Sequence, residues 1–589
     1  MKKYIVLFAA LALIFGACST GTDNTKEKPT AKGDRIYGGC LRLSMIEPFQ
    51  TLYPLEVTDA ASLLIFTQTN DGLVKLNTAT LKAEPCLAES WNIDSSGTKY
   101  TFHLQKGAMF QDDECYQGGI GREIKASDVK YSFDLLCTKN IHNQNFLSTF
   151  KDRVLGANKF YKEGKGALEG VKVIDEYTLE ITLLRPSTVF LSILAEPACA
   201  VVSKEAIERY GKNVKTGGTG AFIFDVNKSS KDRTVLKRNP KYHGKDKFGN
   251  QLPFLDSIIA TVVSSKEQEL TLFKEGKIDM IATLPSQSVK EMVESQIKDF
   301  QSKPPKFMLD NSPEMITQYY TFNTKLPPFN NVKVRKAFNM AINRQKIIDE
   351  VLNGQAYGSG IKGITPPTFT ADGYDITGIK GYDYNPQEAK KLLAAAGYPN
   401  GKGFPNIKIL LNGGSSRNSN VVVEIQKQLK EILGINIDFD VIPFAQKLEE
   451  SKTGRAPLVR DAWIADFPSP ESFLDLFYGV NVPAEPNQLS FPNTSRYQNP
   501  EFDKYFEMGR DAQLKDSAMF YFMKAEQIMM DDAPIMVLWY EGNYRLTQFR
   551  VKNAPSNAMH YRNFSETYIK EGATAADAMA GESKNDSIK

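Results

Sequence analysis

Alternating apolar and polar residues predict strands in the first quarter of the chain. Residues 37–44 alternate in this way, and residues 99–104 do so again after a Ser-Ser-Gly turn. Because that turn follows another strand-like run at residues 85–93, the two runs are predicted to form a hairpin. Ser127 stands just before an apolar run with helical spacing, and it is predicted to cap the helix that follows.

Helical periodicity is clearest in the second half of the chain. Residues 332–348 carry apolar side chains at helical spacing and predict one amphipathic helix. An Asn-Pro pair predicts the start of a second helix over residues 386–396, which a glycine ends. Residues 421–433 predict a third helix, and residues 435–442 alternate as a strand. Helix followed by strand, repeated, predicts an α/β lobe.

The amino terminus predicts a targeting segment that is not part of the fold. Two lysines precede an apolar run over residues 5–15, which is too short to stay in a bilayer as a spanning helix. The run leads into Phe-Gly-Ala-Cys, which resembles a bacterial lipobox. We therefore expect removal of residues 1–17 as a signal peptide and lipidation of Cys18. The alternative is a plain secretory signal in which this cysteine is incidental.

Residues 18–35 are mostly polar and predict a flexible tether between the lipid and the folded body. No other apolar run approaches 18 residues. We therefore expect an extracytoplasmic protein in the cell envelope. Its acyl chains would anchor it to the periplasmic face of the inner membrane or to the outer membrane.

Composition and charge exclude some classes of function. The chain has 589 residues, of which 42% are hydrophobic and 24% charged, with a formal net charge of +3. This profile is typical of a soluble globular protein of two or three lobes, and it argues against nucleic acid as a partner. The four histidines form no HExxH or HxH pair, so no metal site is predicted. No hydrolase motif such as GxSxG occurs, so we expect no enzymatic activity and no cofactor.

The sequence contains six cysteines: Cys18 and, in the first third of the mature chain, Cys40, Cys86, Cys115, Cys137 and Cys199. Five thiols cannot all pair within the chain, and the sequence does not fix a disulfide pattern, so buried free thiols are the preferred interpretation. The Gly-Gly-Thr-Gly run at residues 217–220 lacks the Lys-Ser/Thr of a phosphate-binding loop and is interpreted as a tight turn.

Residues 460–471, Arg-Asp-Ala-Trp-Ile-Ala-Asp-Phe-Pro-Ser-Pro-Glu, place an aromatic ring between opposite charges. Arg460 precedes Trp463, Asp466 follows it, and two prolines then force an extended turn. Such a segment fits a recognition surface. It also fits a buried tryptophan beside ordinary surface charges, and the pattern alone leaves both interpretations open.

An ordered set of motifs over residues 36–565 resembles the family 5 extracellular solute-binding proteins, which include the dipeptide- and oligopeptide-binding proteins of ABC importers. The matching segments are LAESW, GTKYTFHLQKGAMFQDD, IKASDVKYSFDLL, VIDEYTLEITLL, GGTGAFIF, VLKRNPKYHGK, LTLFKEGKIDMI, LPPFNNVKVRKAFNMAINRQKI, NPQEAKKLLAAAGYPNGKGFP and residues 460–471. Three positions depart from the family pattern: Ala221 replaces a proline, His243 a tryptophan and Ala462 a glycine.

The resemblance implies an α/β fold of the periplasmic-binding-protein-like class C, with two lobes hinged about a cleft, three domains, and mixed sheets with flanking helices. The implied division is lobe I at residues 36–60, 200–308 and 536–570, an extra domain II at 61–199, and lobe III at 309–535. Residues 571–589 are mostly small and polar and predict a disordered tail.

The resemblance also implies ligand-binding residues. In peptide-binding members, the aspartate that matches Asp466 takes the α-ammonium of the ligand. In some members, an arginine at the position of Arg460 helps to bind the α-carboxylate. Trp463 is expected to form part of the pocket wall. A further segment, which lends backbone hydrogen bonds to the peptide in the family, contains Tyr319, Tyr320 and Asn323.

We therefore expect a monomeric, non-enzymatic lipoprotein that captures di- to oligopeptides in the cleft and delivers them to the permease subunits of an ABC transporter. Two alternatives remain open. The same fold would also suit a non-peptide solute such as an oligosaccharide, a nickel chelate or haem. A secreted hydrolase is the less favoured alternative, because no nucleophile or metal motif supports it.

Overall fold

The computed structural model describes residues 29–57, 59–139, 143, 145–164, 166–263, 265–284, 307–413, 416–486 and 488–573. The predicted signal peptide, the predicted lipidation site Cys18 and most of the predicted tail lie outside the described residues. Within the described ranges, no helix combines the length and apolar character that crossing a bilayer requires.

The strands are β1 (Thr30–Ala31), β2 (Arg35–Ile36), β3 (Cys40–Met45), β4 (Val74–Leu76), β5 (Ala83–Pro85), β6 (Ala88–Ile93), β7 (Lys99–Leu104), β8 (Val171–Asp175), β9 (Thr178–Thr182), β10 (Phe222–Phe224), β11 (Arg233–Arg238), β12 (Ser257–Val262), β13 (Met280–Ile281), β14 (Met308–Phe322), β15 (Gly358–Ser359), β16 (Lys408–Asn412), β17 (Asp438–Ile442), β18 (Leu458–Ile464), β19 (Ile535–Thr547), β20 (Val551–Lys552) and β21 (Tyr568–Ile569).

The helices are α1 (Ala60–Thr69), α2 (Ala126–Leu136), α3 (Asn145–Ser148), α4 (Ala157–Glu163), α5 (Phe190–Leu194), α6 (Lys204–Tyr210), α7 (Lys266–Lys274), α8 (Val332–Ala341), α9 (Arg344–Lys346), α10 (Pro386–Ala395), α11 (Ser416–Leu433), α12 (Phe444–Thr453), α13 (Glu471–Leu474), α14 (Pro500–Arg510) and α15 (Lys515–Asp532). A π-helical turn at Ile347–Val351 follows α9.

Three larger sheets organise the fold. The N-terminal sheet has the strand order β10-β11-β12-β3, with β12 and β3 parallel. The middle sheet has the order β6-β7-β9-β8 and is antiparallel throughout. The large sheet has the order β13-β19-β14-β18-β16-β17, and β15 pairs with β19. Helices flank all three sheets, as expected for the predicted α/β class.

Two long strands of the large sheet, β14 and β19, also reach the N-terminal part of the fold. β14 is 15 residues long, and its first part pairs with the end of β19, next to β13. The register shifts between Pro313 and Thr317, after which β14 pairs with the start of β19. Such an irregularity bends the strand pair locally. The bend lies between the part of β14 that pairs with the end of β19 and the part that pairs with its start.

Several predicted elements are confirmed. The predicted hairpin is β6 and β7, in which Trp91 lies opposite Phe102. α10 begins at Pro386, and Asn385 Oδ1 accepts a hydrogen bond from the amide of Glu388 at 3.1 Å. Gly397 follows α10 with a φ of +98°, a conformation that glycine adopts without strain.

The single helix predicted over residues 332–348 is wrong. α8 ends at Ala341, and Asn343 caps α9 as a separate helix. The break turns the Arg344 guanidinium into the core. There it donates to the carbonyl oxygens of Val537 (2.5 Å), Asn339 (3.0 Å) and Tyr382 (3.1 Å). Apolar residues before and after the break pack into the same core. The helical spacing of apolar residues therefore continues across the break, and the sequence pattern predicts one helix.

Smaller differences concern where elements begin. α2 begins at Ala126, one residue before the predicted cap Ser127, and the Asp128 carboxylate accepts the amide of Lys125 at 2.8 Å in its place. α11 begins at Ser416, ahead of the predicted residue 421, and β17 begins at Asp438, after the predicted residue 435.

The predicted tether is wrong for its last seven residues. β1 and β2 pair as a short antiparallel hairpin within residues 29–36. The side chain of Asn250 holds this hairpin, because it accepts the amide of Lys32 at 3.0 Å and donates to the carbonyl of Lys32 at 2.9 Å. The folded body therefore begins several residues earlier than the composition suggests.

Candidate ligand-binding site

One edge of β18 is open over the second half of the strand. β18 pairs with β14 along its whole length. On its other side, β16 pairs only with Leu458 and Val459. From Arg460 onward, no strand in the described part of the chain covers that side. Ile464, at the end of β18, is 62% exposed.

The open edge carries unused backbone groups. Just beyond β18, the amide of Ala465 donates to the carbonyl of Met315 on β14 at 2.9 Å. Because hydrogen-bonded and non-hydrogen-bonded pairs alternate in an antiparallel ladder, the backbone groups of the even-numbered residues point the other way. The N–H and C=O groups of Ala462 and Ile464 therefore face the open edge, where an extended chain can pair with them.

Asp466 lies at the end of this edge. Its amide donates to Ser472 Oγ at 3.0 Å, which fixes the backbone. The residue is exposed to solvent, yet burial among the surrounding protein, followed by the charge of Asp475, raises the pKa of its carboxyl to about 6. A side chain that is accessible to solvent and yet has a pKa shifted by the surrounding protein is typical of the wall of a cleft.

The Asp466 carboxylate makes no ion pair within the described residues. Arg153 is the cation whose charge acts on Asp466, and it opposes the rise in the pKa of that carboxyl. Arg153 already has a partner, because its Nη1 lies 3.0 Å from Glu471 Oε1 and its guanidinium lies 5.3 Å from the centre of the Phe467 ring. The carboxylate of Asp466 is therefore available to a cationic group of a ligand.

A second carboxylate approaches Asp466 from the segment that follows α5. Burial, followed by the charge of Asp466, raises the pKa of Glu196 well above its usual range. Glu196 lines a crevice that it shares with Asn70 and Tyr561. Neither carboxylate forms an ion pair within the described ranges, although Lys75 lines the same crevice and the charge of Arg153 acts on Asp466. A cation placed between the two carboxylates would favour their charged forms.

Arg460 lies earlier on β18, and its guanidinium contacts the side-chain amide oxygens of two uncharged residues. Its Nη2 donates to Gln318 Oε1, and its Nη1 lies 3.5 Å from Asn412 Oδ1. Burial lowers the pKa of its guanidinium. Arg460 lines a narrow crevice with Gln318, Tyr320 and Trp539, and Asp466 is not part of that crevice. The structure therefore places the two predicted charge anchors in different surroundings.

Trp463 is half-buried and packs against the apolar core around the middle sheet. Its Nε1 donates to Ser472 Oγ at 3.3 Å. The same hydroxyl accepts the amide of Asp466, so Ser472 links the indole to the loop that holds this carboxylate. Arg460 and Trp463 point to opposite faces of the sheet, because side chains alternate along a strand.

The segment with Tyr319, Tyr320 and Asn323, predicted to lend backbone hydrogen bonds to a peptide, forms the end of β14 and the residue that follows it. β14 pairs with β18 on one side and with β19 on the other, so the sheet uses the backbone groups of Tyr319 and Tyr320. Both tyrosines are buried. The Asn323 side chain donates to the carbonyl of Gly454 at 2.8 Å. The open backbone edge belongs to β18, the neighbouring strand.

Sequence patterns gave no signal for Glu196, Ser472 or Gln318. Glu196 stands in a Leu-Ala-Glu-Pro run that matches no motif, and it meets Asp466 only through the fold. Metal-ligating side chains also converge, at Asp71, Cys86 and His243, although the sequence predicted no metal site.

Comparison with known proteins connects this geometry to a family. The profile described as "Bacterial extracellular solute-binding proteins, family 5 Middle" matches residues 82–483. The chain is 28% identical over 482 residues to the periplasmic oligopeptide-binding protein OppA of Escherichia coli, covering 79% of this chain and 80% of that protein. It is 26% identical over 580 residues to heme-binding protein A of Haemophilus influenzae, covering 95% and 98% of the two chains.

Solved structures show the same fold. The periplasmic binding protein DppA of Helicobacter pylori, in complex with the peptide STSA, superposes with a TM-score of 0.72 at 25% identity. The match covers 91% of this chain and 99% of that chain. The predicted fold class is therefore confirmed.

Proposed function

The chain belongs to the bacterial extracellular solute-binding proteins of family 5, and we propose that it captures peptides outside the cytoplasm and delivers them to the permease of an ABC importer. Relatives named for oligopeptide, dipeptide and glutathione binding support a peptide-like ligand. The proposed role is that of a monomeric binding protein without enzymatic activity. Lipid attached to Cys18 would keep the protein at the membrane where the permease lies.

The observation that carries the proposal is an open strand edge that ends at an unpaired carboxylate. A peptide adding to the β18 edge gains backbone hydrogen bonds from residues such as Ala462, and these do not depend on its side chains. Its α-ammonium then reaches Asp466, whose carboxylate has no ion-pair partner in the described residues. This arrangement favours a free amino terminus over any particular sequence.

Arg460 is proposed as a secondary anchor for the ligand carboxylate. Its guanidinium donates to amide oxygens of Gln318 and Asn412. A carboxylate would be a stronger acceptor, because charge-assisted hydrogen bonds are roughly twice as strong as neutral ones. Trp463 is proposed to shape the wall beside Asp466, and not to bind the ligand through its indole N–H, which Ser472 already accepts.

Native mass spectrometry of the protein, purified from its host envelope without denaturation, tests the proposal. We expect adducts spread over many masses that fragment as peptides, and we expect their loss after denaturation and refolding. A relative named for haem binding makes one alternative specific. A single adduct with the mass of haem, a sugar or a metal chelate would contradict the peptide proposal.

A further inference from the structure

Asp71, Cys86 and His243 bring three kinds of metal-binding atom to one buried point. Their ligand atoms, a carboxylate oxygen, a thiol sulfur and an imidazole nitrogen, lie within 4.8 Å of one another. Asp71 and Cys86 are buried, and the His243 side chain is only 5% exposed. Ligands on one tetrahedral zinc ion lie roughly 3.5 Å apart. Small side-chain movements would therefore bring these atoms into coordination distance.

The three side chains come from different parts of the fold. Asp71 lies between α1 and β4, Cys86 follows β5, and His243 follows β11 of the N-terminal sheet. Backbone contacts fix the position of Asp71, because its amide donates to Thr219 Oγ1 at 2.7 Å and its carbonyl accepts the amide of Val201 at 2.8 Å. The cluster is therefore held in place before any ion binds.

His243 is oriented as a metal ligand is. Its Nδ1 lies 2.9 Å from Gln105 Oε1, and its Nε2 lies 3.0 Å from Asp71 Oδ2. When Nδ1 donates to Gln105, the Nε2 lone pair faces a carboxylate oxygen, which is also an acceptor. Either a proton or a metal ion between the two atoms satisfies both acceptors. Metal-binding histidines commonly show this pattern, with the second ring N–H held by a polar partner.

The composition of the cluster favours zinc. A thiolate, a carboxylate and a neutral imidazole carry two negative charges, which one Zn²⁺ ion neutralises. These three ligand types are the ones that bind Zn²⁺ in proteins. Binding replaces the S–H bond of Cys86 by a Zn–S bond, and the proton leaves to solvent.

A crevice reaches one of the three ligands, Asp71. Asp71, Glu196 and Tyr561 are among the residues that line it, and its volume is about 20 Å³. This is enough for about one water molecule. A water molecule at this position can complete a four-coordinate site, because the protein supplies three ligands.

We propose that Asp71, Cys86 and His243 bind one Zn²⁺ ion, with Gln105 orienting His243 and water as the fourth ligand. The ion joins the His243 loop of the N-terminal sheet to the β4–β5 hairpin beside the middle sheet.

Equilibrium dialysis against Zn²⁺, using the chain without a polyhistidine tag, tests the proposal. We expect one Zn²⁺ per chain and a higher melting temperature with the ion, because it binds the folded state. Cys86→Ser and His243→Gln are expected to lower the affinity by at least about 10–100-fold, the effect of losing even a residue that only orients a ligand. With Co²⁺ in place of Zn²⁺, a thiolate-to-metal absorption band is expected, and Cys86→Ser should abolish it.

Cys40→Ser and His103→Gln are matched controls, because Cys40 is half-buried on β3 and His103 lies on β7, both apart from the cluster. Each should keep the bound ion. His243→Trp, which restores the residue expected from the family pattern, provides a second ligand variant should His243→Gln fail to fold. Absence of Zn²⁺ from the folded wild-type chain, or undiminished Zn²⁺ in folded Cys86→Ser, would overturn the proposal.

Discussion

At the scale of single residues, the proposed binding site depends on a carboxylate that has no ion-pair partner in the described residues. Protein surrounds the Asp466 carboxyl, and Arg153, the cation whose charge lowers its pKa, is paired with Glu471. The surrounding protein disfavours the charged form of this solvent-exposed carboxyl, and a ligand that supplies the opposite charge would favour it. A peptide ammonium bound as proposed would therefore gain more from Asp466 than from a surface carboxylate already paired with lysine.

Asp466→Asn is expected to weaken peptide binding by about tenfold or more, because a desolvated charge contact exceeds the 1.4 kcal/mol that corresponds to one decade of affinity. Titration calorimetry with the same peptide measures the change. Asp440→Asn is the matched control, because this half-buried residue of β17 already pairs with Lys408 of β16 at 3.1 Å. Equal affinity of wild type and Asp466→Asn would remove Asp466 from the site.

The same substitution should not reduce stability at neutral pH. The pKa of Asp466 in the folded chain, about 6, lies above the usual value of about 3.9. The folded state therefore holds the proton more tightly, and the contribution of Asp466 to stability falls as pH rises from about 4 to about 6. Thermal unfolding near pH 7.5 should show an equal or higher melting temperature for Asp466→Asn, and a clear decrease would indicate an unrecognised partner of the carboxylate.

Peptide affinity is expected to depend on pH through Asp466. Below pH about 6 the carboxyl is increasingly protonated, and it must release its proton to hold an ammonium. Affinity should therefore fall by up to about tenfold per pH unit on the acid side. It should also fall above about pH 8, where the peptide amine loses its proton. Calorimetry from about pH 5 to 9 measures the profile, and an acid limb that persists in Asp466→Asn would assign it to another group.

At the scale of elements, the open edge of β18 has a direct test. Ala462→Pro removes an N–H that faces the open side, while the hydrogen bonds between β18 and β14 involve the odd-numbered residues. We expect at least about a tenfold loss of peptide affinity with little change in melting temperature, because the ligand loses a backbone partner. Ala462→Ser keeps the N–H and serves as the control. Full affinity in a folded Ala462→Pro variant would show that the peptide does not pair with this edge.

The break between α8 and α9 depends on Arg344. Burial lowers the pKa of this guanidinium to about 10, and it donates to carbonyl groups from several segments. Arg344→Met is expected to lower the free energy of unfolding by about 3 kcal/mol, because these buried carbonyls lose their donor. Urea denaturation measures the loss. Arg233→Met, at an exposed position on β11, is the control, and an equally small effect of both substitutions would contradict this role.

Sequence patterns predicted an element correctly where neighbouring residues alone determine its start and end. The Asn-Pro start and the glycine end of α10 are local and were predictable. The break before α9 was not, because Arg344 gains its hydrogen bonds from strands and loops far away in sequence. The pairing of β1 with β2 was also hidden, since Asn250 holds it from more than two hundred residues away.

At the scale of the whole molecule, the family resemblance indicated the fold and Asp466, but not the surroundings of the site. The sequence could not show that β14 is covered on both sides while β18 is open, because both facts depend on the order of strands in the sheet. Glu196 and the Asp71–Cys86–His243 cluster are likewise products of tertiary contact. The register shift in β14 offers a hinge, and ligand binding is proposed to favour the closed arrangement of the two parts.

The most direct test of the central claim is a competition between free and blocked peptide termini. A mixture of tri- to hexapeptides and the same mixture acetylated at its amino termini are offered together to the purified chain, and native mass spectrometry identifies what binds. The account predicts at least about a tenfold preference for the free termini in the wild-type protein and little preference in Asp466→Asn. Equal capture of acetylated and free peptides by the wild-type protein would contradict it.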